Sequence, residues 1–177
     1  MKKVTTTLLV LITLFCVGNV TAQKKKTKMW KLHEDYLKIE FKIPKSWWAD
    51  GFGGGEEDWD GYGSSVCDCT GIICGTDNPD IKMVYYPMKE GLDPERRNQV
   101  WDYKFVASDT KDKISNKYLE FEREISKWEE DEDNFEVWRL IAKKGAYSYY
   151  VYFWAKPSVM KKKEKLLFQI IETFKPL

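Results

Sequence analysis

The sequence predicts an α+β domain in which an antiparallel β-sheet is flanked by helices, and three observations carry that prediction. Leu37, Ile39, Phe41 and Ile43 alternate with Lys38, Glu40 and Lys42, which is the two-residue period of a half-buried strand. Tyr147-Ser148-Tyr149-Tyr150-Val151-Tyr152-Phe153-Trp154 is apolar on both faces, as suits a central strand covered on both sides. Val159, Lys163, Leu166, Ile170 and Phe174 then follow helical spacing, and Leu167 and Ile171 widen the stripe.

The chain opens on a leader. Lys2 and Lys3 precede an apolar-to-neutral run over residues 4–17, and Val20-Thr21-Ala22 places small residues where a signal peptidase reads. The run carries no acid and is too short to span a bilayer comfortably. Residues 1–22 are therefore predicted to be a signal peptide cleaved after Ala22. Cys16 raises lipidation as an alternative, but Thr13-Leu14-Phe15 before it lacks the small residues that lipidation requires. The expected location is periplasmic or secreted. No later apolar run is long enough for a transmembrane helix.

Residues 23–35 read as a basic flexible tail led by Lys24-Lys25-Lys26-Thr27-Lys28. The first strand is expected over 36–43 and ends at Pro44, after which Trp47-Trp48 begin a paired segment. An insertion at about residues 50–76 is dense in glycine, acid and cysteine, and it holds Phe52, Trp59 and Tyr62 among its glycines. Such a long irregular stretch is uncommon in a compact domain unless it is functional or disordered. A strand follows over 80–86, stopped by Pro87. Asp93-Pro94-Glu95 has the capping and first-turn residues of a helix expected to run to about Val106. Three strands come next, over 118–128, 134–143 and 146–155. An acidic turn at 129–133 and Lys144-Gly145 separate them, and Pro157-Ser158 opens the last helix. Residues 36–177 thus make a single domain large enough to hold its own core.

A family resemblance rests on these residues. Ile43-Pro44-Lys45-Ser46-Trp47 resembles the P-x-x-W opening of PsbP-like domains. The aromatic strand at 147–154, the helix after it and Thr173-Phe174 are similar to the ending of that family, where a helix closes with a Ser-Phe pair. The resemblance spans about residues 36–174. It implies an α/β/α sandwich around a central antiparallel sheet, and members that mostly bind partners or have no known activity. It carries over no catalytic residue, and the insertion departs from the family pattern.

Composition narrows the function. Loss of Lys2 and Lys3 takes the 29 basic residues to 27 against 28 acidic ones, too even a balance for a nucleic-acid ligand. Aromatic residues are 15% of the chain, enough to close a thick core or to leave rings for contact. His33 is the single histidine, near the flexible start. A Ser-His-Asp triad would have to recruit it with no G-x-S-x-G elbow present, and a zinc site with several histidines cannot be assembled in the usual way. Glu56, Glu57, Asp58 and Asp60 lack the fixed opposition of glycosidase carboxylates. Asp58-Trp59-Asp60-Gly61 starts like a calcium loop, but the later ligands are missing at their spacing. Acids directly after Gly53-Gly54-Gly55 argue against a phosphate cradle. The lysines of the last helix and the acids of 129–133 read as solvated surface.

Cys67, Cys69 and Cys74 remain after processing, and an exported protein meets oxidising surroundings. Cys67–Cys74 and Cys69–Cys74 are the sterically easier disulfides, whereas Cys67–Cys69 closes a small strained ring. The sequence reading is therefore an exported, non-enzymatic binding module of the cell envelope, with another envelope protein as partner. Phe52, Trp59 and Tyr62 are its contact anchors, and it needs no cofactor or metal. The alternative is a thiol-dependent metal-binding or disulfide-exchange protein using Cys67, Cys69 and Cys74.

Overall fold

The computed structural model of the chain describes residues 27–52, 71–89, 105–130 and 133–177. In chain order the strands are β1 (Met29–Glu34), β2 (Ile39–Pro44), β3 (Trp48–Phe52), β4 (Gly71–Asp77), β5 (Asp80–Lys89), β6 (Phe105–Ser115), β7 (Glu120–Glu130), β8 (Asp133–Lys144), β9 (Tyr147–Ala155) and β10 (Lys175–Pro176). Helix α1 (Pro157–Ile171) precedes β10. Seven strands form one antiparallel sheet in the order β3-β4-β5-β9-β8-β7-β6, and β1, β2 and β10 form a smaller one.

The central place of β9 explains its sequence. Tyr149, Val151 and Phe153 enter the core on one face, while Tyr150, Tyr152 and Trp154 enter an aromatic cluster on the other. On that second face Tyr86 stacks on Tyr150 at 5.0 Å and its hydroxyl lies 3.2 Å from that of Tyr152. The first face is covered by α1, through Met160, Leu167, Ile170 and Ile171, and by β2, through Ile39, Phe41 and Ile43. Phe174, just past the helix, stacks on Phe41 with ring centroids 4.6 Å apart. Each ring of that size buried from water stabilises the fold by roughly 1.5–3 kcal/mol.

The end of α1 is held from a distance. Asn116 Nδ2 donates to the carbonyls of Ile171 at 2.8 Å and Phe174 at 2.9 Å, while its Oδ1 accepts the amides of Tyr118 and Leu119. Carbonyls left over at the helix terminus thereby find a partner. The Lys144-Gly145 turn also forms as read, with Gly145 at φ +61°, a region glycine enters without strain.

Five strands differ from the sequence reading. The tail expected over 23–35 is a strand, β1, over Met29–Glu34, paired with β2 from Met29↔Pro44 to Glu34↔Ile39. The insertion expected over 50–76 contains β4, whose Gly-Ile-Ile-Cys-Gly run shows no alternation because both its faces are buried. β6 looks polar in sequence because it is the edge strand beyond β7, carrying Lys111, Asp112 and Lys113. β10 is too short to signal itself. Pro87 does not stop β5, which runs on to Lys89; its pairing with β4 has already ended at Tyr85↔Ile72.

The α/β/α arrangement is met only in its coarser form, since α1 is the single helix among the described residues. The helix expected at about 93–106 lies outside them, except that Phe105 and Val106 already belong to β6. Among the described residues no helix is long and apolar enough to cross a membrane.

Candidate binding groove

A groove of about 520 Å³ opens where β1, an edge of the small sheet, comes beside β3, an edge of the large one. Trp30, Leu32 and Glu34 line it from β1, on one side of that strand by its two-residue period. Ala49, Asp50 and Gly51 line it from β3, Tyr36 and Leu37 from the β1–β2 turn, and Gly71 and Ile72 from β4.

The lining side chains are positioned by named contacts. Trp30 Nε1 donates to the Pro44 carbonyl at 3.1 Å, so the indole is pinned across the β1–β2 ladder. Leu37 is buried, and its carbonyl accepts the Tyr85 hydroxyl from the opposite sheet. Tyr36 beside it is 79% exposed, an apolar ring left in water at the groove mouth. Asp50 Oδ1 accepts the Gly51 amide at 2.8 Å, so the edge strand satisfies that group with its own side chain. Two carboxylates, Glu34 and Asp50, and no basic side chain are among the described lining residues.

On the other side of β1 the single histidine is engaged on both ring nitrogens. Nδ1 lies 3.0 Å from Glu40 Oε2, and Nε2 lies 3.3 Å from Asp35 Oδ1. The hydrogen bond from His33, then that from Lys31, holds the Glu40 carboxyl below the usual carboxylate range.

A second depression, about 330 Å³, lies over β6, β7 and β8, but its charges answer one another. Arg139 pairs with Glu124, Lys111 with the same carboxylate and Lys113 with Glu120. Arg123 is bidentate to Asp112 and lies over the rings of Trp138, at 4.4 Å, and Phe168, at 5.5 Å. Among the described residues no group of three His, Cys, Asp or Glu side chains could hold a metal ion.

The sequence-predicted site residues fare differently. Phe52 closes β3 in register with Gly71 and is not among the residues that line the groove. Trp59, Tyr62, Cys67 and Cys69 lie outside the described residues. Cys74 is a free thiol wholly buried in β4, and it packs in the core beneath the sheet. Burial pushes its thiol pKa far up, the reverse of a reactive cysteine. Trp30, Tyr36 and Asp50 were missed as site residues. The Trp30-x-Leu32 alternation within Met-Trp-Lys-Leu-His-Glu was the available signal, obscured by the lysines before it.

No protein-family model matches the chain, and no curated protein matches it in sequence. Solved structures do match in shape. The solution structure of cyanobacterial PsbP (CyanoP) from Synechocystis superposes with a TM-score of 0.59 at 6% identity, over 91% of this chain and 99% of that one. A Bacteroides thetaiotaomicron protein gives a TM-score of 0.48 at 14% identity over 79% of this chain, which spans only 45% of that longer protein. LpqN, involved in cell envelope biogenesis of Mycobacterium tuberculosis, gives 0.47 at 12% identity, over 85% of this chain and 92% of that one. The PsbP match bears out the resemblance carried by the Pro44-x-x-Trp47 opening and the aromatic strand: the chain has a PsbP-like fold.

Proposed function

We propose that this PsbP-like domain is an exported, non-enzymatic binding module that holds a segment of another cell-envelope protein in the groove between β1 and β3. The observation that carries the reading is the groove itself: an apolar floor of Leu32, Leu37 and Ile72, an exposed ring at Tyr36 and two carboxylates at the rim. Exposed aromatic rings over an apolar floor are what protein contacts use as anchors. Export rests on the leader over residues 1–22 and its small residues before Gln23. The only histidine has both ring nitrogens against carboxylates, which supports binding over acid–base chemistry. The α/β/α layering belongs to the same proposal, supported by the buried aromatic cluster on the second sheet face.

The thiol alternative is weakened by Cys74, which is buried in the core and therefore withdrawn from any three-sulfur site. The test is a photo-reactive amino acid placed at position 36 in the full chain in cells, with position 162, on the exposed side of α1, as control. An adduct with an envelope protein from position 36 and none from 162 is expected. Adducts from 162 alone would move the binding site to the helix, and adducts abolished by Cys67→Ser with Cys69→Ser would restore the thiol reading.

A further inference from the structure

Resting on that groove, we propose that its occupant is an extended, basic peptide segment of the partner, which adds to the free edge of β3 as a further strand. Three observations meet there. β3 ends the seven-stranded order, so among the described residues it has a strand on one side only. Such an edge presents backbone groups ready for a further strand. The groove lining carries Glu34 and Asp50 with no cation, so a partner with lysine or arginine is matched and an acidic one repelled. The third observation is the bond from the Gly51 amide to Asp50 Oδ1. It satisfies one amide of the free edge from within the strand.

Strand addition exchanges these bonds without loss. The incoming backbone carbonyl takes the Gly51 amide, and the released Asp50 carboxylate takes the incoming cation, so one charge-assisted bond is exchanged for another that also pairs opposite full charges. An acidic or neutral segment offers Asp50 nothing in return, so the same carboxylate that blunts the edge selects what may open it. Side chains alternate across an added strand, so one face of the segment is apolar, toward Leu37 and Ile72, and the other basic. Glu34, across the groove on β1, sits where a second cation is received.

The probe is a fluorescein-labelled hexapeptide alternating lysine and valine, titrated against the full chain by anisotropy. The lysine peptide is expected to bind, its glutamate–valine counterpart to fail, and a lysine–valine peptide with methylated backbone amides to lose binding. Asp50→Asn retains an oxygen for the Gly51 amide, so its thermal midpoint should match wild type while peptide affinity falls by about tenfold, the loss of one charge-assisted contact. Equal binding of lysine and glutamate peptides would overturn the charge argument, and undiminished binding of the methylated peptide would overturn strand addition. If the position-36 adduct forms but the lysine peptide does not bind, this inference fails and the binding-module reading stands. If neither occurs, the groove is not the site.

Discussion

The Tyr85 hydroxyl, on β5, donates a 2.7 Å hydrogen bond to the carbonyl of Leu37, 48 residues earlier in the β1–β2 turn. One bond thereby ties the small sheet to the large one directly beneath the groove. Tyr85 is fully buried, and burial, with the nearby Tyr149, drives its phenol pKa far upward, which favours the protonated donor. The turn it holds includes Lys38 at φ 56°, and the Leu177 amide donates to the Lys38 carbonyl from the chain's end.

Tyr85→Phe is expected to cost about 1–2 kcal/mol in urea unfolding, because a buried carbonyl loses its donor. The groove should weaken in step, since Leu37 forms its floor. An unchanged urea midpoint would show that the two sheets are held without this bond.

Gly75→Ala should destabilise by about 1–3 kcal/mol, as overpacking does. A Cβ at that position would lie 2.4 Å from the Ile81 carbonyl oxygen, which is backbone of the paired strand β5 and cannot rotate away. Thermal melting reads this directly, with Gly51→Ala as contrast, since its Cβ meets nothing nearer than 4.0 Å. A loss as large in Gly51→Ala would place the cost in glycine's backbone freedom instead.

Asn116→Asp should be worse than Asn116→Ala. Alanine removes the hydrogen bonds that join β6, β7 and the end of α1, a loss of about 2–3 kcal/mol. Aspartate keeps the acceptor for Tyr118 and Leu119 but sets an oxygen against the carbonyls of Ile171 and Phe174. Amide exchange in the last turn of α1 is the local measure. The reverse order of the two variants would argue against the assigned amide orientation.

Cys74 should resist iodoacetamide at pH 8 in the folded protein and react once urea unfolds it, because burial disfavours the thiolate. Mass spectrometry after alkylation, with no reductant added, separates this from a disulfide. A bridge at Cys74 would leave it unlabelled even when unfolded.

Acid should unfold the protein through its paired carboxylates. The hydrogen bond from Arg123 holds Asp112 below the usual carboxylate range, and His33 and Lys31 do the same for Glu40. A carboxyl with a lower pKa in the folded than in the unfolded chain stabilises above the unfolded value, near about 4. That contribution is lost as the pH falls through the folded value. Stability should therefore be level near neutrality and decline below about pH 4, and Asp112→Asn should flatten the decline. The same variant leaves the buried Arg123 guanidinium unmatched over Trp138, costing about 1–3 kcal/mol at pH 7. An acid limb as steep as wild type would assign the titration elsewhere.

The elements legible in the sequence were those whose side chains obey a local period. β2 shows it in Ile39, Phe41 and Ile43, all buried, and α1 in Leu167, Ile170 and Ile171. β9 reads as central because a strand covered on both faces has no polar side to show. The groove was not legible, because its walls come from β1 and β3, strands of different sheets, and its floor joins Leu32 and Leu37 to Ile72 of the distant β4.

The amino-acid order by itself therefore determined β2, β7, β8, β9, most of β5, the last helix and the PsbP-like class, since pleat and helical pitch aim side chains within a few residues. Only the tertiary structure decided that Cys74 is sealed in the core, and that the edges of β1 and β3 meet around Asp50. Both depend on which strands become neighbours, and that is chosen by burial summed over the whole sheet, far beyond the reach of any local pattern.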